Sequence, residues 1–233
     1  MNSAKTMLVV GAHHDDNELC AGTITRHIRA GWRVVSVVAT NGRYTQSAVS
    51  DANIEIRNDE SRAAAELLGV EPVFLGFHEG GFMDFEAARH ALARCIRKYR
   101  PDVILTHPQR DYHTDHMVVS RAVHDAWHIC LTASFDCEEP IMEKCPDLYY
   151  CDAWFVPFEP DLYVDVADFM EIKAQALACH KSQLGPDGPA PGDMIDMERV
   201  RARYRGIEGG MEFAEAFRFV PRLGKVRTAE LLG

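Results

Sequence analysis

The chain has 233 residues, 47% of them hydrophobic and 26% charged, a composition typical of a globular protein that can bury a sizeable core. Its formal net charge of −10 argues against non-specific binding to nucleic acid, because the chain has no excess of cations to offset phosphate repulsion. The sequence contains no run of about 18 apolar residues, the length that a membrane-spanning helix needs.

Strand and helix patterns alternate through the first half of the chain. Apolar, β-branched runs predict four strands, over 6–12, 33–40, 70–77 and 102–108. Amphipathic stretches between them predict three helices, over 19–29, 54–69 and 84–100. Asp84 is the expected N-cap of the third helix, and a fourth helix should run from Asp115 to about Ile129.

The second half of the chain is less regular. Residues 130–162 are rich in Cys, Pro and aromatic residues, which indicates short strands mixed with loops. A further amphipathic helix is expected over 166–184, followed by a Pro/Gly loop over 185–193 that is a candidate lid or rim. Alternating strands and helices predict an α/β fold: a Rossmann-like open, mostly parallel sheet with helices on both faces and a C-terminal elaboration. No linker divides the chain, so residues 1–233 are expected to form a single domain.

Two clusters of histidine and aspartate follow predicted strands. His13, Asp15 and Asp16 come directly after the first strand, and His113, Asp115 and His116 follow the strand at 102–108. In an open α/β sheet, ligands bind beyond the carboxyl ends of the strands. If the two strands are neighbours, these six side chains converge, and imidazole with carboxylate is the donor set of a catalytic zinc site.

The residues around these clusters carry a family resemblance. "GAHHDDNELCAGT" and "HTDH" resemble the two metal motifs of the LmbE-like, or PIG-L-type, de-N-acetylase family. "EIRNDESRAAAELLGV", "IKAQALACHKSQ" and "GGMEFAEAFR" are similar to three further segments of that family, so the resemblance spans nearly the whole chain. The sequence departs from the family pattern at His14, where proline is commonest.

The resemblance implies the role of each clustered residue. His13, Asp16 and His116 would bind Zn²⁺, and Asp15 would be the general base for the attacking water. His113 would stabilise the oxyanion, with Asp115 orienting and charging its ring. The implied enzyme is a zinc-dependent hydrolase that releases acetate and a free amine from an N-acetylglucosamine-type conjugate. Its expected binding partner is therefore a small-molecule N-acetylated sugar conjugate.

Substrate contacts are less firmly marked by the sequence. Arg57 matches a family arginine that would reach the substrate, and the alternative is an exposed arginine on a helix. Glu79 lies where relatives often carry Asp in a sugar-binding loop, and the alternative is a solvated loop acid. Asn41 follows a strand end and could line the same crevice.

Other functions compete with this one. The chain could be a metal-dependent amidase for a larger N-acyl conjugate, a non-heme iron oxygenase with a 2-His-1-carboxylate site, or a non-catalytic metal-binding protein. A dinucleotide-binding module is excluded because no G-x-G-x-x-G follows the first strand. Seven cysteines without a CxxC pair, and an apolar N-terminal stretch too short for a secretory leader, predict a cytoplasmic protein. Members of the resembled family of this length often assemble as homo-oligomers, so a homo-oligomer is expected.

Overall fold

A computed structural model describes residues 4–45, 47–81, 84–185 and 188–222. Within these residues the chain forms one seven-stranded sheet, in the order β3-β2-β1-β4-β5-β7-β6. The strands are β1 (Thr6–Gly11), β2 (Arg33–Thr40), β3 (Glu71–Phe77), β4 (Val103–Thr106), β5 (Asp147–Cys151), β6 (Leu162–Asp165) and β7 (Ala214–Phe219). β1 to β5 are parallel, and β7 runs antiparallel to both of its neighbours. The predicted mostly parallel α/β sheet is confirmed.

In the part of the chain that the structure describes, six α-helices cover the sheet. They are α1 (Ala21–Arg29), α2 (Ala52–Leu68), α3 (Phe85–Tyr99), α4 (Thr114–Ile129), α5 (Met170–Ala178) and α6 (Met194–Gly209). Alternate residues of β1 face opposite sides, as a strand requires: Leu8 and Val10 join the core under α3 and α4, and Met7 and Val9 join the core under α1 and α5. Among the described residues, no helix is long and apolar enough to cross a membrane.

Element boundaries follow local chemistry where the sequence marks them. The Asp84 side chain accepts a hydrogen bond from the Ala87 N–H and caps α3 as predicted. Gly69 ends α2 in the left-handed conformation, at φ 75°, which glycine adopts without a Cβ clash.

The helix predicted over 166–184 was too long. The α-helical part is only Met170–Ala178, flanked by short 3₁₀ turns at Ala167–Phe169 and Lys181–Gln183. Helix α6 was not predicted at all. Its buried residues include Glu198 and Arg205 as well as Ala202 and Gly206, so its inward face lacks the apolar periodicity that marks most helices.

A buried lysine joins the C-terminal elements to the start of α1. Lys173 on α5 donates from Nζ to the Leu19 carbonyl at 2.6 Å and to Glu215 Oε1 at 2.7 Å, and Nζ lies 2.9 Å from Glu198 Oε2. Glu215 on β7 also accepts hydrogen bonds from the Gly22 and Thr23 N–H groups at the N-terminus of α1. The Lys173 ammonium therefore lies between two buried carboxylates from two different elements, of which Glu198 is also paired with Arg201.

Replacing this lysine should destabilise the fold strongly. Lys173→Met removes the cation and leaves Glu198 and Glu215 buried without it, which should lower the free energy of unfolding by about 3–5 kcal/mol. Urea denaturation followed by circular dichroism measures this change. The matched control is Lys181→Met, because Lys181 is exposed. Equal stabilities of the two variants would show that the buried pairs contribute nothing net.

Candidate metal centre

The neighbouring strands β1 and β4 bring the two predicted clusters together. Val10 lies beside Thr106 in the parallel register, so the loops that follow both strands leave the sheet at the same edge. The first loop turns tightly, with the Asp16 N–H donating to the His13 carbonyl. The second leads into α4, whose N-cap is His113. The crevice expected from the sequence is therefore present.

Three of the predicted residues face one another at the centre of the crevice. His13 Nδ1 lies 3.2 Å from His116 Nε2, and the Asp16 carboxylate lies 3.4 Å from the first nitrogen and 3.3 Å from the second. Donor atoms of a tetrahedral zinc site lie about 3.3–3.4 Å apart, given metal–nitrogen bonds of about 2.0–2.1 Å. The spacing of these donor atoms therefore fits a metal ion.

Two further carboxylates bind the outer nitrogens of the same imidazoles. Asp115 Oδ2 lies 3.2 Å from His13 Nε2, and Asp111 Oδ1 lies 3.0 Å from His116 Nδ1. When each outer nitrogen donates its proton to a carboxylate, each inner nitrogen presents a lone pair. Two lone pairs and the Asp16 carboxylate then converge on one point, an arrangement that only a cation or a proton stabilises.

Two side chains that the sequence reasoning overlooked belong to this centre. These two residues are Asp111 and His107. His107 Nε2 lies 3.1 Å from Asp16 Oδ2, and the His107 ring stacks on that of His116. Donor atoms cluster closely in two overlapping groups, one of His13, His113 and His116 and one of Asp16, His107 and His116. His107 follows β4 directly, and this position at a strand end was the signal that could have identified it.

The carboxylates dominate the electrostatics of the centre. Burial disfavours a charged imidazole, but Asp16 and Asp115 outweigh it and raise the pKa of His13 to about 9. Against the same effect of burial, Asp16 and Asp111 raise the pKa of His116 to about 10. Burial disfavours a charged Asp16 as well, yet its three histidine neighbours hold the pKa of that carboxyl well below its usual range. Protons and a divalent cation compete for such a site.

Asp115 pairs with a different histidine from the one expected. The family resemblance implied that Asp115 orients and charges the ring of His113, but His113 Nδ1 and Asp115 Oδ2 are 4.0 Å apart. The Asp115 carboxylate instead accepts from the Gly80 and Gly81 N–H groups and contacts His13. His113 Nδ1 accepts from the backbone N–H of Asp115, as an N-cap does. Burial and its histidine neighbours lower the pKa of His113, which makes the neutral ring the stable form.

Asp15 lies at the wall of the crevice in an ion pair with Arg57. Arg57 donates to Asp15 Oδ1 at 2.8 Å and to the Tyr44 carbonyl at 2.9 Å. Its side chain is buried, so Arg57 is not the exposed helix arginine that was the alternative interpretation. Burial raises the pKa of Asp15, but the Arg57 charge outweighs this and lowers it. The carboxylate form of Asp15 is therefore stable at neutral pH.

The other two candidate substrate residues have different surroundings. Glu79 is buried, and its carboxylate accepts from the Tyr44 N–H at 2.6 Å, so it is not a solvated loop acid. It lines the same cavity as Asp15, whereas Asn41 is not among the described residues of that lining. The Asn41 N–H instead donates to the Phe77 carbonyl at the edge of the sheet.

His14, which stands at the usual proline position, turns away from the centre. Its ring is buried, contacts Asn58 Oδ1 through Nε2 at 2.9 Å and stacks on Phe74. Burial and the nearby Arg57 lower the pKa of His14 to about 4, so the ring is neutral at physiological pH. Its contacts are those of a packing residue.

The centre forms the floor of an open cavity of about 620 Å³. Tyr112 and Trp154 line one side, and Asp15 and Glu79 line the cavity as well. The predicted Pro/Gly loop contributes Gly185, Gly192 and Asp193 to the lining, and residues 186–187 of that loop lie outside the described residues. The volume is within the range of about 300–1,000 Å³ of small-molecule sites.

A protein family, two curated proteins and a solved structure are similar to this chain. The PIG-L family, described as GlcNAc-PI de-N-acetylase, matches residues 8–127. Diacetylchitobiose deacetylase of Thermococcus kodakarensis is 28% identical over 232 residues, covering 94% of this chain and 85% of that protein. 4-Oxalmesaconate hydratase of Pseudomonas putida is 26% identical over 196 residues, covering 77% and 74%. The structure of a conserved protein from Thermus thermophilus matches with a TM-score of 0.81 at 27% identity, covering 97% and 99%.

Asp111 provides a test of the metal centre. Asp111→Ala removes the acceptor that orients His116 and should weaken zinc affinity about 10–100-fold. Competition with a chromogenic chelator measures this affinity. The control is His14→Ala, next to a central histidine in sequence, which should leave metal affinity unchanged because the ring packs elsewhere. Loss of metal from the His14 variant alone would contradict the arrangement.

Proposed function

The chain belongs to the PIG-L family of de-N-acetylases, and from this premise we propose that it is a metal-dependent hydrolase that removes acetyl from an N-acetylglucosamine-type conjugate. The products are acetate and a free amine. The observation that carries the proposal is the convergence of His13 Nδ1, His116 Nε2 and Asp16 within 3.4 Å, beside the Asp15 carboxylate in one cavity.

We assign the metal as zinc, held by His13, Asp16 and His116. Two imidazole nitrogens and one carboxylate are a common catalytic zinc set, and Asp115 and Asp111 supply the outer hydrogen bonds that such histidines make. When bound, the ion would polarise the acetamide carbonyl and make a water molecule more acidic. The same donor set also suits iron, but the parallel α/β sheet and the family favour the hydrolase.

Asp15 is the proposed general base. One of its oxygens accepts from Arg57, and as a carboxylate it can take the proton of a water molecule that attacks the acetamide carbon. The C–N bond of the resulting tetrahedral intermediate then breaks, and Asp15 returns the proton to the leaving nitrogen. Because the Arg57 guanidinium is engaged by Asp15 and the Tyr44 carbonyl, we propose that it positions the base; the predicted direct contact with substrate stays a prediction.

His113 is proposed to stabilise the oxyanion as a neutral ring. Its Nδ1 accepts from the Asp115 N–H, so Nε2 carries the ring proton. His113 lines the cavity, where Nε2–H can donate to the oxygen on which negative charge develops. Asp115 acts on the other imidazole, His13; against the effect of burial, the hydrogen bonds that Asp115 makes with His13 and with the Gly80 and Gly81 N–H groups lower its pKa to about 2.

The proposed reaction is tested by acetate release. Zinc-loaded protein and chelator-stripped protein are incubated with N-acetylglucosamine conjugates and with a larger N-acyl conjugate, and acetate and free amine are quantified. We expect stoichiometric acetate and amine that depend on the metal. Amine release from the larger acyl group alone would favour the amidase alternative. Bound metal without turnover of any amide would favour a non-catalytic protein.

Removal of the base should separate chemistry from metal binding. Asp15→Asn keeps the size of the side chain but cannot accept the proton, so kcat should fall about 10²–10⁴-fold with zinc content unchanged. Steady-state kinetics and elemental analysis measure the two properties. Asp59→Asn is the control, because Asp59 lies on the exposed side of α2. An Asp15→Asn variant with full turnover would remove the assignment.

A further inference from the structure

Two cysteines from distant parts of the chain lie in contact next to the metal centre. The Cys20 thiol donates a hydrogen bond to Cys151 Sγ, and the two sulfur atoms are 3.2 Å apart although the residues are separated by 131 positions in the sequence. Both cysteines are free thiols. The sulfur atoms would have to approach by only about 1.2 Å to reach the length of a disulfide bond, about 2.0 Å.

The two thiols differ in their access to solvent. Cys20 is buried, whereas Cys151 is only partly buried. The hydrogen bond to Cys151 and burial raise the pKa of the Cys20 thiol well above its usual range, so Cys20 is a neutral thiol at physiological pH. An oxidant that arrives from solvent therefore reaches Cys151 first and finds Cys20 directly behind it. An accessible cysteine with a second one beside it is the arrangement that lets a first oxidation product proceed to a disulfide.

Each cysteine is continuous with a segment of the metal site. Cys20 is the last residue of the 3₁₀ turn Asn17–Cys20, which follows Asp16 directly. Cys151 is the last residue of β5, and the next three residues, 152–154, line the cavity above the metal centre. A covalent bond between the two sulfurs would connect the loop that carries Asp16 to a wall of the cavity.

Both of these segments are anchored by buried hydrogen bonds. The Leu19 carbonyl accepts from Lys173 Nζ at 2.6 Å, and the Asp152 carboxylate accepts from Arg205 Nε at 2.6 Å and from its terminal nitrogen at 3.1 Å. Neither segment can move freely toward the other, so a shorter contact between the sulfurs must displace groups of the site. A displacement of about 1 Å in an active site can lower a rate about 100-fold.

We propose that Cys20 and Cys151 form a redox modification site, which low-molecular-weight disulfides oxidise to an intramolecular disulfide that reversibly lowers the activity of the metal centre. Formation of the bond is independent of the proposed hydrolase function. Only the effect of the bond on acetate release rests on that function.

The oxidation consists of two thiol–disulfide exchanges, written here for oxidised glutathione. The Cys151 thiolate attacks one glutathione sulfur, the S–S bond of the oxidant breaks, and the departing glutathione takes up the proton that Cys151 has lost. Cys20 then attacks the Cys151 sulfur of the mixed disulfide, and the second glutathione departs with the proton of Cys20. Two protein thiols are oxidised, and one glutathione disulfide is reduced to two thiols.

Peptide mass spectrometry tests whether this bond forms. Zinc-loaded protein is incubated with excess oxidised glutathione, the remaining thiols are alkylated, and the protein is digested without reduction. The wild type should yield a crosslinked pair of peptides that contain Cys20 and Cys151. In Cys20→Ser the second thiol is missing, so Cys151 should retain one glutathione adduct. Recovery of both wild-type cysteines as alkylated thiols would overturn the proposal.

A second pair of cysteines provides the matched control. Cys130 and Cys145 are both buried, and each thiol donates to the Trp127 carbonyl rather than to the other sulfur. Because neither is open to solvent, these two should remain thiols under the same conditions. Cys145→Ala should therefore crosslink Cys20 to Cys151 as the wild type does. Crosslinks scattered among all of these cysteines would show general oxidation of an unfolded chain and would overturn the assignment of a specific site.

The effect on activity is measured as acetate release after the oxidant has been removed. The crosslinked wild type should be about 10- to 100-fold slower than the reduced protein, and dithiothreitol should restore the rate. Cys151→Ser should retain the wild-type rate before and after the oxidant, because Cys151 is not among the described residues that line the cavity. Full activity of the crosslinked protein would overturn the regulatory effect.

A metal-binding measurement distinguishes failure of the proposed function from failure of this inference. If the reduced protein releases acetate from no conjugate, the hydrolase function fails, and the crosslink is still scored by mass spectrometry. Its effect on the centre is then measured as zinc affinity by competition with a chromogenic chelator. Oxidation should weaken zinc binding in the wild type and not in Cys151→Ser. An equal zinc affinity of the reduced and crosslinked wild type would overturn the coupling.

Discussion

The pairing of β1 with β4 is the constraint on which the site depends. Val10 and Thr106 are neighbours in a parallel register, so the loops after both strands must leave the sheet side by side. Residues 103 positions apart in the sequence thereby meet, and His13 faces His116 at 3.2 Å. Because both strands are buried on both faces, a shift of this register would move apolar side chains out of two cores at once.

Around this contact, each charged group is oriented by another. Asp111 orients the imidazole of His116, and Asp115 orients that of His13. Arg57 holds Asp15. Glu79 accepts from the N–H of Tyr44, the residue whose carbonyl accepts from Arg57. Such mutual orientation keeps reacting groups close to their working geometry and reduces rearrangement during the reaction. Because the charged groups orient one another, many of them are buried near the cavity. Burying these charges costs free energy, which offsets part of the stability that the apolar cores supply.

The sequence predicted those features of the structure that depend on a local pattern of apolar and polar residues. All four strands and four helices of the first half were located to within a few residues, and His13, Asp16 and His116 were brought together as expected. The sequence did not predict α6, because its inward face is built from paired charges such as Glu198 and Arg205. It also assigned Asp115 to the nearby His113 rather than to His13, which lies 102 residues away. Such distant partners are set by sheet register, which a single sequence does not specify.

The hydrogen bonds of Lys173 and Glu215 carry a consequence for the order of folding. The Leu19 carbonyl is bound by a side chain 154 residues later, and the Gly22 N–H by one 193 residues later. Contacts of such sequence separation form late, because long loops must close before they contribute. During synthesis, the segment that follows the aspartates of the first loop therefore lacks its final anchors until β7 has emerged from the ribosome. The backbone groups of Leu19, Gly22 and Thr23 are thus translated early but gain these partners only near the end of synthesis.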